Sequence, residues 1–425
     1  MTAGRFSRAT VLIAAVSALL LALTAARWVG EVPGRQAHLD FAPYYASALL
    51  VREGHAAQMY DPAAQTELLR ASGDAPQAPV ATALAPPAIL LYVPLTLAPL
   101  WLASLMWSVI QCLLLLMAAL IAVRAAPWAA RLTRTASVVI VAAAVSGGGT
   151  LMLLGLNQWD GVAALALALT YSDLRAGRDN GAMVWLTVGV LAGKPHLAIG
   201  MALFLVARRP LSLIPGALAA AAMGGLTLLV VPLAAVGQWL GTVVNVNGAF
   251  RPSSTIGISG LVASFFGDGG ASTVAGYVMT ALVLLTCFAL GRRAGRRDGG
   301  GSASDEPMSS IDPVFLGATL LTLLAAPHVF PYDLVTLIPG LVGCLAWGAA
   351  GYHSHDWPGR VALSVLAAWL VVTLVCLEMV SPPGSYRPTP LLPILLLASA
   401  AACVAVAAFR PRCAAPPMAA PVGRW

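Results

Sequence analysis

The sequence predicts an all-α, polytopic integral membrane protein, and three observations carry that expectation. Of the 425 residues, 59% are hydrophobic and 10% charged, with a mean hydropathy of +0.84. A soluble domain carries about 25% charged residues and has limited interior in which to hide apolar side chains. A soluble enzyme and a disordered chain are therefore both excluded. Apolar runs of helix length recur along the chain, and the basic residues sort into alternating segments between them.

The runs fall at about residues 10–28, 100–123, 135–153, 158–172, 181–193, 196–207, 211–234, 273–290, 313–326, 329–348, 361–380 and 391–409, about twelve spans in all. The first follows Arg5 and Arg8, the flanks of a signal peptide. It leads into a polar loop and further spans, so it reads as a retained first helix. The first outside loop, residues 29–98, is the most polar stretch and holds Glu31, Asp40, Glu53, Asp61, Glu67 and Asp74. Within it FAPYYASALLVR, residues 41–52, spaces its apolar residues as a helix lying in the membrane interface would, with Asp40 at its N-terminal edge. Tyr60-Asp61-Pro62 reads as a turn.

The runs 181–193 and 196–207 are short for spans, and basic pairs flank them on one side (Arg175 and Arg178; Arg208 and Arg209). They predict a hairpin reaching partway or tilting across, with Gly193-Lys194-Pro195-His196 at its tip. A second outside loop, residues 235–272, carries Trp239, Asn245, Asn247, Arg251 and Asp268. Residues 291–310 combine an arginine cluster with a Gly/Ser run and read as a flexible cytoplasmic linker; residues 410–425 read as a cytoplasmic tail. The whole of 1–425 is expected to be one transmembrane domain.

The net charge of +7 would suggest nucleic acid in a soluble protein. Here about 17 of the 24 lysines and arginines fall in one alternating set of loops and termini, which assigns that set, and both termini, to the cytoplasm. No nucleic-acid partner is implied. The six cysteines lie in apolar runs or the basic tail, away from the outside segments, and have no zinc spacing.

That topology brings four polar groups to the outside face: Asp40, the run Asn157-Gln158-Trp159-Asp160, Lys194, and Pro327-His328 with Tyr332-Asp333. Ionisable groups at span ends cost free energy in low dielectric and tend to mark a pathway or site. Each also has a plainer reading. Asp40 is either a general base or a helix N-cap. Lys194, the only lysine, either meets a phosphate as a compact ammonium or snorkels to the interface. His328 either hydrogen-bonds a phosphate or is a satisfied polar group at a helix end. Tyr332 and Asp333 fit an interfacial anchor and a cap, and Asn157 and Gln158 fit hydrogen bonds between helices. No Walker loop, dinucleotide fingerprint or metal-ligand spacing is present. The span count alone fits a transporter equally well, but the two halves do not correspond and the acid-rich loop breaks any such symmetry, which favours an enzyme.

The ordered segments DFAPYYASALLVREGHAAQMYDPAAQ, APPAILLYVPL, GLNQWDGVAALALAL, GVLAGKPHLAIGMAL and APHVFPYDLVTL resemble the glycosyltransferase family 87 membrane proteins over roughly residues 10–350. That family includes polyprenyl-phosphate-mannose-dependent α-mannosyltransferases of actinobacterial envelopes. The resemblance implies a GT-C-type helical bundle in the plasma membrane, with an extracytoplasmic active site that inverts the anomeric centre. It implies Asp40 as the general base. Lys194 and His328, at the family's Lys-Pro and Pro-His positions, become candidates for the donor phosphate. Tyr44, Tyr45, Gln158 and Tyr332 become sugar or lipid contacts. At GLNQWD the chain departs from the family's more frequent Gly-Gln-Asn order, since Asn157 precedes Gln158.

The function so implied is transfer of a mannosyl residue from polyprenyl-phosphate-mannose to a glycolipid or lipoglycan acceptor among the membrane lipids. No cofactor is expected. Because one phosphate leaves, a lysine or histidine can stand in for a divalent metal, so metal independence is also expected. The alternatives are the same chemistry with another polyprenyl-phosphate sugar, such as arabinofuranose, or a lipid or sugar transporter without enzymatic activity.

Overall fold

A computed structural model describes residues 8–31, 40–71, 82–127, 129–249, 251–298, 311–351, 357–379 and 389–408. All regular structure among them is helical. In chain order the helices are α1 (Arg8–Glu31), α2 (Phe41–Arg52), α3 (Pro62–Ala71), α4 (Pro86–Leu90), α5 (Leu100–Ala125), α6 (Arg134–Val145), α7 (Gly148–Leu156), α8 (Asp160–Arg175) and α9 (Asp179–Leu186). They are followed by α10 (Ile199–Arg208), α11 (Leu213–Leu228), α12 (Leu233–Ala249), α13 (Ile258–Phe266), α14 (Gly270–Asp298), α15 (Ile311–Ala325), α16 (Ile338–Gly351), α17 (Trp357–Met379) and α18 (Leu391–Ala408).

Five of the described stretches are long and apolar enough to cross a bilayer: Thr10–Gly30, Leu100–Ala125, Pro210–Leu228, Gly270–Arg296 and Pro331–Ala349. A sixth crossing forms if α6 and α7, bent by 55° at their junction, are one span. Other expected runs form shorter apolar helices, among them Ile199–Arg208 and Ile311–Ala325. The chain is a polytopic, all-helical membrane protein. Every residue of α15 is buried, as a helix apolar all round must be when it runs through the middle of a bundle. Helices α11 and α14 instead turn leucines outward, Leu218 at 65% and Leu285 at 63% exposure, where only lipid tails would solvate them.

Two cores result. The larger joins α5, α8, α10, α15, α16, α17 and α18. The smaller is a cap in which Phe41, Tyr44, Tyr45 and Tyr92 of the first loop pack with Trp107 of α5 and Trp159 at the start of α8. Tyr92 is at its centre, 4.5 Å from the Trp107 ring and 5.4 Å from Tyr44. Trp239 of α12 donates from Nε1 to the Ala83 carbonyl at 2.9 Å and pins the cap to the bundle.

The opposite pole carries an arginine cluster. Arg175 reaches Asp312 at 3.4 Å, Tyr171 donates to the same carboxylate at 2.6 Å, Arg208 pairs with Asp179 at 2.6 Å, and Arg178 bonds Asp173. Helix α8 starts at Asp160 and ends at Arg175. Its 16 residues, at about 1.5 Å each, separate the two poles by roughly 24 Å.

The hairpin expected between 181 and 207 is present. Helix α9 runs into a π-helical turn, Thr187–Leu191, and a 3₁₀ turn, Pro195–Leu197, leads into α10. The structure corrects three other expectations. Helix α2 does not lie on a surface: Phe41 to Val51 are all buried, because α3, α4 and the 3₁₀ turn Val93–Leu97 enclose it. Residues 235–272 are mostly helix (α12 and α13), not loop. The linker expected at 291–310 begins as helix, since 291–298 continue α14. A Cβ on Gly291 would lie 2.1 Å from the Phe204 carbonyl oxygen, and one on Gly295 2.4 Å from that of Arg208. Those glycines, four apart, are what lets α14 lie directly on α10. The rest of the linker, 299–310, and the tail, 410–425, lie outside the described residues.

Candidate active site

The site lies where the cap meets the bundle. Asp40 occupies the N-cap position of α2, but its backbone is already helical (φ −63°, ψ −14°) and its side chain makes no capping hydrogen bond. N-cap residues that cap usually hold extended angles, which aim the side chain back at the first amides. Here the carboxylate turns away and accepts a hydrogen bond from Gln158 Nε2. The other end of that amide is also engaged, as Tyr44, one turn along α2, donates to Gln158 Oε1 at 3.0 Å. The result is a relay, Tyr44 to Gln158 to Asp40, joining residues more than a hundred positions apart.

Gln158 is placed by the residue before it. Asn157 ends α7 in the left-handed region (φ 54°, ψ 49°), which asparagine tolerates better than most residues. Its amide donates to the Ser104 hydroxyl at 2.7 Å and to the Ser104 carbonyl at 3.0 Å, while its oxygen accepts from Ser108 at 2.6 Å. Trp107, between those serines, donates from Nε1 to the Gln158 carbonyl at 3.2 Å. So Asn157 serves as the interhelical bond expected of it, whereas Gln158 is directed into the site.

The second group of ionic side chains centres on Lys194. Its ammonium lies 2.9 and 2.8 Å from the two oxygens of Asp160, 3.1 Å from Asp333 Oδ1, and 4.5 Å from the centre of the Tyr332 ring. It does not snorkel into open solvent. The hairpin brings it there through the π-helical turn and Gly193, where a Cβ would stand 2.3 Å from Nε1 of Trp159. Asp333 serves two partners: Oδ1 meets Lys194, and Oδ2 accepts from the Phe330 amide at 2.8 Å, the capping role expected of it. On the other side of the lysine, His196 and His328 face each other with ring centres 4.3 Å apart.

The electrostatics follow from burial. Removal from water raises the Asp40 carboxyl above the ordinary carboxylate range, against the pull of the Gln158 hydrogen bond and the Lys194 charge. For Lys194 burial acts to lower the value, but Asp160 and Asp333 outweigh it and hold the ammonium protonated. Burial, helped by the Lys194 charge, lowers His328 to about 4, so its ring is neutral near pH 7.

The structure thus brings Asp40, Tyr44, Gln158, Lys194 and Tyr332 together, with His328 beside them. Tyr45 points elsewhere: its hydroxyl donates to the Ala98 carbonyl at 2.9 Å within the cap. Asp160 and Asp333 have a larger part than their sequence suggested, and His196 was not singled out at all. Its one signal was its place at the hairpin tip, two residues from the only lysine.

The described helices define a class, an integral membrane protein with a cluster of buried ionisable side chains at one end of its bundle. Residues 85–305, just over half of the chain, match the family model of glycosyltransferase family 87, and the chain belongs to that family. It is accordingly a membrane glycosyltransferase. The matched stretch contains Gln158 and Lys194 and stops short of Asp40 on one side and of His328 and Tyr332 on the other. Neither a curated protein nor a solved structure gives a significant match to the chain.

Proposed function

We propose that this glycosyltransferase moves a mannosyl residue from polyprenyl-phosphate-mannose to a glycolipid or lipoglycan acceptor on the extracytoplasmic face of the plasma membrane, with inversion and with Asp40 as the base. The observation that carries the reading is the Tyr44–Gln158–Asp40 relay. It holds a desolvated carboxylate in one orientation although a capping role was available to it. In the reaction the acceptor hydroxyl oxygen bonds to C1 of the sugar while the bond from C1 to the phosphate oxygen breaks. The hydroxyl proton passes to Asp40, and polyprenyl phosphate leaves with the electron pair.

The charge gained by that phosphate is met by Lys194 and by a hydrogen bond from neutral His328. Since the ammonium is already shared by two acids, the phosphate takes the place of Asp333, the more distant partner. Tyr332, against Lys194, and Tyr44 then border the sugar. The reading includes metal independence, with Lys194, held between Asp160 and Asp333, supplying the positive charge that a divalent cation would otherwise bring to the phosphate. A GT-C bundle of about twelve spans with both termini cytoplasmic puts the polar pole outside, in keeping with the arginines gathered at the other pole.

The test is transfer of radiolabelled mannose from polyprenyl-phosphate-mannose to a membrane lipid extract, by purified wild type and by Asp40→Asn at matched folded amounts, with and without a chelator. Label entering a glycolipid with wild type only, unaffected by chelation, is the expected result. Equal incorporation by both proteins removes Asp40 from the base role, and loss of turnover on chelation removes the metal-independent mechanism.

A further inference from the structure

Beyond the paired histidines is a cavity of about 290 Å³, of whose lining the reaction above uses His328 alone. It is some ten times the roughly 30 Å³ share of a single water and close to the lower end, about 300 Å³, of small-molecule pockets. Its walls come from four helices. On α14, Thr273, Tyr277 and Thr280 follow at helical spacing and Leu284 closes the same face at depth. That face belongs to a helix otherwise apolar enough to cross a bilayer; Thr273 and Thr280 are half-buried on it, whereas Tyr277 is 68% exposed. Thr255, Ser259 of α13 and Thr322 of α15 complete the polar wall, with His196 and His328 at the side toward Lys194.

The hydrogen-bond inventory of the wall narrows the ligand. Thr322 donates to the Ala318 carbonyl at 2.7 Å, Thr255 to that of Pro252 at 2.9 Å, and Thr273 to that of Gly269 at 3.0 Å. A hydroxyl has one hydrogen and two lone pairs, so these three offer the cavity acceptors. The lining contains no carboxylate, lysine or arginine among the described residues. A phosphate would find no countercharge there and a metal ion no anionic ligand, and a hydrocarbon chain, though it would meet the apolar share of the lining (Ile199, Leu284, Ala325), would use none of the hydroxyl lone pairs. A ligand rich in O–H donors and without charge fits all three constraints. The imidazoles supply flat surfaces against which the C–H face of a ring can rest.

We propose that this cavity is a subsite for a neutral sugar ring, held by O–H donation to its threonine and serine oxygens. The assignment rests on the glycosyl-transfer reading and adds to it the place of one reacting or flanking sugar, belonging either to the donor or to the acceptor glycan. The test uses full-length protein in lipid nanodiscs, comparing wild type with the double variant Ser259→Ala, Thr280→Val, which removes two hydroxyls and keeps the branched shape at 280. The expected result is a KM raised about tenfold for one substrate with kcat within twofold. A shift in the donor KM places the donor sugar in the cavity, and a shift in the acceptor KM places the acceptor glycan there. Methyl α-mannoside observed by saturation-transfer NMR reads the cavity without turnover. Signal with wild type that is lost in the double variant supports the subsite even if no sugar is transferred, in which case it is the transferase reading that fails. Unchanged KM values together with equal or absent methyl mannoside signal in both proteins overturn it.

Discussion

Replacing Gln158 with leucine, close to it in volume, removes an amide engaged at both ends, by Asp40 and by Tyr44 at 3.0 Å. Asp40 is already raised by desolvation, and the Gln158 hydrogen bond is the strongest of the influences that draw it back. A hydrogen bond to a charged group is worth about 1.5–3 kcal/mol, and each 1.4 kcal/mol is about tenfold in rate or population. In Gln158→Leu the acidic limb of the kcat/KM profile should move to higher pH, so that on that limb the variant is about ten- to a hundred-fold slower than wild type. On the plateau, where Asp40 is ionised in both proteins, only the loss of orientation remains. Tyr44 touches Asp40 through Gln158 alone, so Tyr44→Phe should move the limb in the same direction by less, about two- to tenfold for a neutral hydrogen bond. Added to Gln158→Leu it should do nothing further. The assay is labelled sugar transfer across the acidic limb for wild type, the two single variants and the double. An unmoved limb in folded Gln158→Leu, or additive effects in the double variant, would refute the relay.

Asp40→Asn should unfold at the same temperature as wild type or higher. The folded carboxyl titrates above its ordinary value of 3.8, so native stability falls as pH rises from that value through the folded one, and the neutral amide escapes this cost; a lower melting temperature above that window would contradict it. Lys194→Met leaves the side chains of Asp160 and Asp333, 0% and 2% exposed, without a countercharge, for a loss of roughly 3–5 kcal/mol. Adding Asp160→Asn should recover part of that loss in thermal unfolding, and no recovery would mean the lysine acts through something other than this pair. Gly193→Ala drives a Cβ to 2.3 Å from the Trp159 indole, which is buried and packed against Trp107, so the hairpin tip and Lys194 should shift. Transfer activity should fall at least tenfold, since misplacing a reacting group by about 1 Å can cost on the order of a hundredfold in rate. Full activity would show that the tip position does not matter.

The spans that the sequence revealed are those the bilayer itself dictates. Runs such as 10–28 and 100–123 became helices α1 and α5 because a chain in hydrocarbon must satisfy its backbone internally over some 20 residues. The hairpin tip at Lys194 was legible for the same reason, as two runs too short to cross with basic pairs at one end. What the sequence hid depends on who the neighbours are. Helix α2 has the spacing of an interfacial helix, and only the enclosing α3, α4 and Val93–Leu97 turn show that all its faces are covered. Gly291 and Gly295 have the composition of a linker, and a glycine that admits a neighbouring helix cannot be told in sequence from one that gives freedom. The contact between Asp40 and Gln158 crosses 118 positions, and no local periodicity encodes a pair so far apart.

Lys194 is the sole lysine of the chain. Biosynthetic incorporation of lysine carrying ¹⁵N at Nζ would therefore yield a single side-chain resonance in a protein of 43.6 kDa, with no assignment step. Because that nitrogen touches both Asp160 and Asp333, its chemical shift is a direct spectroscopic record of their protonation and of any anion that displaces one of them.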